Sequence, residues 1–280
     1  IGTGVMGKSM AMHLQNAGYP LRVFTRTKEK ALELIENGAK WDDSVKELAA
    51  QSDIIITMIG TPKDVEEVYF GEGGILSNAP TGAVLIDMTT SSPLLAKKIS
   101  TAAAANGQQA FDAPVSGGDI GAQNATLSIM VGGSKQHYEA IKPILGAMGN
   151  NIVYQGEAGA GQYTKMCNQI TIASNMVGVS EAVAYAIKAG LDPLVVLKSI
   201  ETGAAASWSL SNLAPKMIAS DFKPGFYVKH IIKDLSIALE SAKELGLSIP
   251  GLELAKTLYE KLADTGEEDS GTQALFKLYS

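Results

Sequence analysis

The feature that most constrains this chain is a change of pattern near residue 156. Before it, short, mostly apolar runs without polar alternation are interleaved with stretches of helical periodicity. Leu21–Phe24, Asp53–Ile59, Ala83–Asp87, a short run around Phe111 and Leu127–Val131 read as strands. Between them, Lys8–Ala17, Lys28–Asn37, Ser44–Gln51, Pro62–Phe70, Pro93–Ala105 and Gln136–Met148 read as helices. A strand without polar alternation is buried on both faces, and regular β/α alternation implies a parallel, doubly wound sheet. After Val153 no β run is expected. Helical patterns take over at Tyr163–Ala189, Pro193–Thr202, Ser207–Ala219, Val228–Leu245, Gly251–Ala263 and Gln273–Leu278. The expectation is an α/β chain, with a doubly wound domain over 1–158 and an all-α domain over 159–280. The small residues of Glu157–Gln162 would form the hinge.

Composition removes several classes. With 280 residues, two domains and a sizeable core are expected without disulfides. A net charge of −6 and only 6% aromatic residues exclude a nucleic-acid footprint. The single Cys167 excludes an intrachain disulfide and a cysteine metal cluster, and suits a reducing, cytoplasmic setting. It is expected as a small buried hydrophobe. No membrane segment is expected, because the apolar stretch Met166–Ser180 is short and carries Asn168, Gln169 and Asn175. The helix over 163–189 is nearly uncharged, which implies burial all round, as a domain axis, an oligomer interface or both.

Gly2-Thr3-Gly4-Val5-Met6-Gly7 is a G-x-G-x-x-G opening a helix, and an apolar strand is expected before Gly2. Glycines at these positions allow a tight turn, close approach of a pyrophosphate and close helix–sheet packing. A dinucleotide-binding domain of the Rossmann type follows. Thr25-Arg26-Thr27 stands at the end of the second strand, where NAD-selective sites carry Asp or Glu. Arg26 lies 19 residues after Gly7, and its guanidinium suits a 2′-phosphate. NADP is the expected cofactor, with NAD the alternative.

Further motifs follow. Asp112-Ala-Pro-Val-Ser116-Gly117-Gly118 ends in a turn able to aim backbone N–H groups at an anion such as a carboxylate. Lys165, Asn168 and Gln169 stand at i, i+3 and i+4, and so share one face of the long helix. Lys233-Asp234 lies on a later helix, with Phe226 two turns before Asp234. With these motifs in this order, the whole chain resembles the β-hydroxyacid dehydrogenase family. That family includes 3-hydroxyisobutyrate dehydrogenase, tartronate semialdehyde reductase and, more distantly, 6-phosphogluconate dehydrogenase.

The resemblance implies hydride transfer between NAD(P) and a small β-hydroxyacid or its semialdehyde. It implies Lys165 as general acid/base, Ser116, Gly117 and Gly118 as the substrate-carboxylate loop, and Asn168 and Gln169 as the amides that orient substrate. Lys233 matches a cofactor-contacting lysine, and Asp234 and Phe226 match residues lining the closed site. Thr90 matches a cofactor-contacting hydroxyl, and Met58 and Ile59 match residues near the adenine–ribose side. Gln169 departs from the Asn common in 3-hydroxyisobutyrate dehydrogenases and matches tartronate semialdehyde reductases, so the substrate stays open between the two. A catalytically silent NADP-binding module is the remoter alternative. The implied partners are a small acid and further copies of the chain, as a homodimer or homotetramer.

Overall fold

A computed structural model describes residues 1–279. The chain packs as two compact units that divide between Lys165 and Met166. The first carries β1 (Arg22–Val23), β2 (Lys40–Trp41), β3 (Ile54–Thr57), β4 (Val84–Asp87), β5 (Gln109–Asp112), β6 (Val115–Ser116), β7 (Leu127–Gly133) and β8 (Gly149–Gly156). β1 pairs with β2, and the other six form a sheet of order β3-β4-β5-β7-β6 with β8 on β7. Residues 1 and 2 run between the two sets. Gly2 N–H donates to Phe24 O at 2.9 Å, Ile1 N to Ile56 O at 2.7 Å, and Met58 N–H to Ile1 O at 3.0 Å. The order across the unit is therefore β2-β1-(residues 1–2)-β3-β4-β5. Strand order reverses at the glycine segment, and a doubly wound sheet has its ligand crevice at such a switch point.

The apolar runs follow from burial on both faces. Ile55 and Leu85 pack with Leu48, Val65, Tyr69 and Ile99, whereas the next residue, Ile86, packs on the opposite face with Met10, Leu14 and Ile129. Each such fully buried side chain contributes about 1.5–3 kcal/mol. The sheet is not parallel throughout, which corrects the expectation. β3, β4 and β5 are parallel, but β5 and β6 both run antiparallel to β7. β5 and β6 are one line interrupted at Ala113-Pro114, where proline has no N–H to give the ladder. β2, β6 and β8 were not anticipated. The first two are two residues long, and β8 is a largely polar edge strand of sequence GNNIVYQG whose apolar stretch is only Ile152-Val153-Tyr154.

The helices Pro62–Phe70 and Pro93–Ala105 begin as their sequences dictate. Proline occupies the first turn behind a capping box of Thr61 with Asp64, and behind Ser92. Lys28–Asn37 instead splits into a 3₁₀ turn and the helix Leu32–Glu36, and Ser207–Ala219 splits into Trp208–Asn212 and Ala214–Ile218. Pro215 cannot donate in a continuous helix. Short helices at Ile75–Asn78 and Gly118–Gln123 complete the first unit.

Among the described residues the second unit holds helices and no strand. Its core joins Met176, Val179 and Val183 of the helix Ala160–Lys188 with Leu197, Ile231, Leu235 and Tyr259. That helix is not buried all round. Cys167, Thr171, Ser174, Gly178, Glu181, Tyr185 and Lys188, at steps of four and three, form an exposed stripe. Small and polar side chains keep the stripe nearly uncharged without making it core. Cys167 is thus exposed, contrary to expectation. Among the described residues this helix alone is long and apolar enough to cross a membrane, and its buried stripe in the core is how a core helix meets the same measure. Phe226 precedes the helix Val228–Glu244, so it is not two turns back along it. Its ring faces His230, with centroids 6.4 Å apart.

Candidate active site

The glycine loop is built as its chemistry requires. Gly2 has φ +89°, and a Cβ there would lie 2.3 Å from Met58 O. A Cβ on Gly7 would lie 1.9 Å from Gly2 O, so the helix Val5–Asn16 packs backbone to backbone on the turn. A Cβ on Gly4 would meet nothing within 4 Å. The fold therefore needs the outer glycines and leaves the middle one facing open space, where a pyrophosphate can approach. No side chain caps this helix, so its first N–H groups can donate to phosphate oxygens. Thr3, Gly4 and Val5 line a cavity with Lys8, Lys30 and Glu33. These residues fit a dinucleotide.

Thr25, Arg26 and Thr27 follow β1. Arg26 is 82% exposed and pairs with Asp64 at 3.1 Å. Such an exposed pair is worth about 0–1 kcal/mol, so an incoming anion could take over the guanidinium at little cost. Met58 and Ile59 follow β3, and Met58 packs against Gly2 and Gly7.

Sequence reasoning missed the polar network beneath this surface. Asp87 Oδ1 accepts from Thr57 Oγ1 at 2.8 Å and from Thr89 N–H at 3.1 Å. Thr89 Oγ1 accepts from Ile59 N–H at 3.0 Å, which ties the loop after β3 to the loop after β4. Thr90, the residue implied by resemblance, is the next residue of that second loop. Buried hydroxyls beside a carboxylate at strand ends were the available signal.

Burial raises the Asp87 carboxyl from 3.8 to about 6, against the lowering effect of the hydroxyls and the Thr89 amide. The folded protein then holds this proton more tightly than the unfolded chain, so stability should fall as pH rises from about 4 to 6. A two-unit displacement corresponds to roughly 3 kcal/mol. Asp87→Asn, which keeps the acceptor oxygen, should flatten that part of the stability–pH curve in denaturant titrations. An unchanged slope would place the titration elsewhere.

Ser116, Gly117 and Gly118 form the turn between β6 and the helix Gly118–Gln123, with φ of +130° at Gly117 and +63° at Gly118. Only glycine takes both without strain. His13 holds this helix in place, its ring nitrogen 3.0 Å from Ala122 O and from Gln123 O. Lys165 lies in the second turn of the long helix, buried at 7% exposure. The start of that helix is fixed by Asp112, whose oxygens accept from Gly159 N–H at 2.7 Å and Gln162 N–H at 2.8 Å. Burial pushes this carboxyl up, and the amides oppose it. Gly161 is small for a packing reason: a Cβ there would lie 2.3 Å from Met130 O and 2.6 Å from Asp112 O.

In the second unit, Asn168, Gln169, Asp234 and Lys233 form one chain of contacts. Asn168 Nδ2 donates to Gln169 Oε1 at 2.7 Å, Gln169 Nε2 to Asp234 Oδ2 at 2.6 Å, and Lys233 Nζ lies 2.9 Å from Asp234 Oδ1. Gln169 and Asp234 are buried, so this amide bridges two partners and orients Asn168. Among the described residues no group of His, Cys, Asp and Glu could hold a metal ion.

A doubly wound sheet with an open glycine cradle at its switch point defines an NAD(P)-binding oxidoreductase fold, and the family matches agree. Residues 1–156 match the NAD binding domain of 6-phosphogluconate dehydrogenase, and residues 159–279 match the NAD-binding domain of NADP-dependent 3-hydroxyisobutyrate dehydrogenase. The chain is 64% identical to the uncharacterized oxidoreductase YkwC of Bacillus subtilis, over 100% of this chain and 97% of that protein. It is 40% identical to 2-hydroxy-3-oxopropionate reductase of Escherichia coli, over 98% and 94%. A solved structure of Mycobacterium tuberculosis 3-hydroxyisobutyrate dehydrogenase superposes with a TM-score of 0.92 at 31% identity, covering 99% of this chain and 96% of that one. The chain belongs to the β-hydroxyacid dehydrogenase family and is an NAD(P)-dependent enzyme.

Proposed function

We propose that the protein interconverts a short β-hydroxyacid and its semialdehyde with NADP, with Lys165 as general acid/base. The observation that carries this reading is the buried Lys165 on a helix start held by Asp112, one turn before the Asn168–Gln169–Asp234–Lys233 chain. Residues 1–158 would bind the cofactor, through the Gly2–Gly7 loop, Thr25–Thr27, Met58, Ile59 and Thr90. Residues 159–280 would supply Lys165, the orienting amides and the contacts of Phe226, Lys233 and Asp234. The bound nicotinamide supplies or accepts the hydride. The chain's own part is orientation and proton transfer. Ser116–Gly118 holds the carboxylate, Asn168 the hydroxyl, and Lys165 Nζ takes the hydroxyl proton during oxidation and returns it during reduction.

Gln169 reaches both Asn168 and Asp234, which the shorter Asn could not do from the same backbone. This, with the similarity to 2-hydroxy-3-oxopropionate reductase, keeps a hydroxylated three-carbon semialdehyde as the alternative to 3-hydroxyisobutyrate. A panel of short semialdehydes and β-hydroxyacids, followed by absorbance of the reduced cofactor, tests the assignment. Turnover is expected with tartronate semialdehyde or 3-hydroxyisobutyrate, and no turnover across the panel would overturn it.

Arg26 should set cofactor choice. Arg26→Ala is expected to weaken NADPH more than NADH by roughly 1.5–3 kcal/mol, the worth of a charged hydrogen bond. An unchanged ratio of the two affinities would remove Arg26 from that role.

The exposed stripe from Cys167 to Lys188 favours a homodimer or homotetramer, and the single Cys167 suits a cytoplasmic setting. Its small side chains let another helix approach closely, and Tyr185 stands 76% exposed on it. Light scattering at micromolar concentration should show a multiple of the chain mass, and a lone monomer would contradict this.

A further inference from the structure

We infer that Gln162 is the positioning residue for Lys165, locking the helix that carries the lysine to the cofactor-side loop after β4. Gln162 is fully buried, at 0% exposure, and stands three residues before Lys165, on the same helix face. Its Oε1 accepts from Ser91 N–H at 2.9 Å, and its Nε2 donates to Thr89 O at 2.7 Å. One side-chain amide thus brackets Thr90 from both sides, satisfying the main-chain carbonyl before it and the N–H after it. The backbone N–H of Gln162, an orphan donor of a helix first turn, goes to Asp112 Oδ2 at 2.8 Å. Gln162 is thus held at three points, by the loop after β4 and by the end of β5.

The partners fix which way the amide points. Ser91 N–H can only donate and Thr89 O can only accept, so the residue at 162 must offer both functions. A carboxylate of the same length would face Thr89 O with a second acceptor. The path continues through Thr89, whose Oγ1 accepts from Ile59 N–H. Gln162 therefore couples Lys165 to the segment from Ile59 to Ser91 without reaching the reacting atoms itself. This inference rests on Lys165 being the acid/base residue, and its test separates the two.

The test is a double-mutant cycle on the full-length enzyme, reading kcat, KM and the affinity for reduced cofactor by fluorescence. Gln162→Ala is expected to lower kcat about 100-fold, the scale of an ångström-level misplacement of a reacting group. KM for the acid and the cofactor affinity should move by less than about fivefold, since the pyrophosphate contacts lie on the glycine loop. In a Lys165→Ala background the same substitution should change turnover by less than about twofold, because the group it positions is gone. An equal kcat loss in both backgrounds, or a loss confined to cofactor affinity, would overturn the assignment. Should Gln162→Ala not fold, Gln162→Glu is read by the same criteria. If Lys165→Ala alone keeps more than about a tenth of turnover, the reading of Lys165 fails, visibly and separately from the cycle.

Discussion

Replacing Lys165 with alanine should cut kcat by about 10²–10⁴, the usual worth of a positioned acid–base group. Lys165 is buried in the second turn of a helix whose first N–H groups are bound by Asp112, so its backbone has little freedom to wander. Cofactor affinity should survive, because the glycine loop lies at the other end of the first unit's sequence. The limb of the pH–rate profile that belongs to the lysine should vanish with it. Turnover above a tenth of wild type, with an unchanged profile, would assign the proton transfer elsewhere, and Lys233 would be the next residue to replace.

Gly4→Val should abolish cofactor binding while leaving the fold intact. The Gly4 backbone is extended, with φ −72° and ψ −162°, which any residue adopts. The new side chain meets no protein atom within 4 Å of its Cβ and projects into the open cradle instead. Affinity for reduced cofactor should drop at least about 100-fold, close to 3 kcal/mol, with no change in the unfolding midpoint. Its neighbours behave differently. A Cβ on Gly7 would strike Gly2 O at 1.9 Å, so Gly7→Ala should cost stability as well as binding. Retained affinity in Gly4→Val would show that the pyrophosphate does not lie over this loop.

Much of the fold was legible because burial writes itself into residue choice. Ile55–Ile56 and Leu85–Ile86 show no polar alternation because adjacent residues feed cores on opposite faces. Pro62 and Pro93 marked helix starts because a first-turn residue needs no N–H. What failed to show has equally physical reasons. β8 is an edge strand that keeps polar side chains, and the reversal between β5 and β7 is made after β6, through the Ser116–Gly118 turn and the short helix Gly118–Gln123, which carry no strand pattern. The long helix looked buried because its exposed stripe is mostly small or uncharged, with charge only at Glu181 and Lys188, and Cys167 was misplaced for that reason.

The site divides in the same way. The Gly2–Gly7 loop, Arg26, the Ser116–Gly118 turn and Lys165 carry recognisable chemistry in local spacing. Asp87, Thr89 and Gln162 do not, since their partners lie far away in the chain: Gln162 meets Thr89 and Ser91 more than seventy residues back. Gln169, implied with Asn168 as a substrate-orienting amide, also bonds Asn168 and Asp234, a pairing that no local spacing announces.

The most direct test of Lys165 as the acid/base residue is a crystal structure of the enzyme with oxidised cofactor and a turned-over hydroxyacid. The reacting hydroxyl oxygen is expected within about 3 Å of Lys165 Nζ, with the carboxylate on the amides of Ser116–Gly118. A hydroxyl held by another group, with Lys165 Nζ bound to the carboxylate instead, would contradict it.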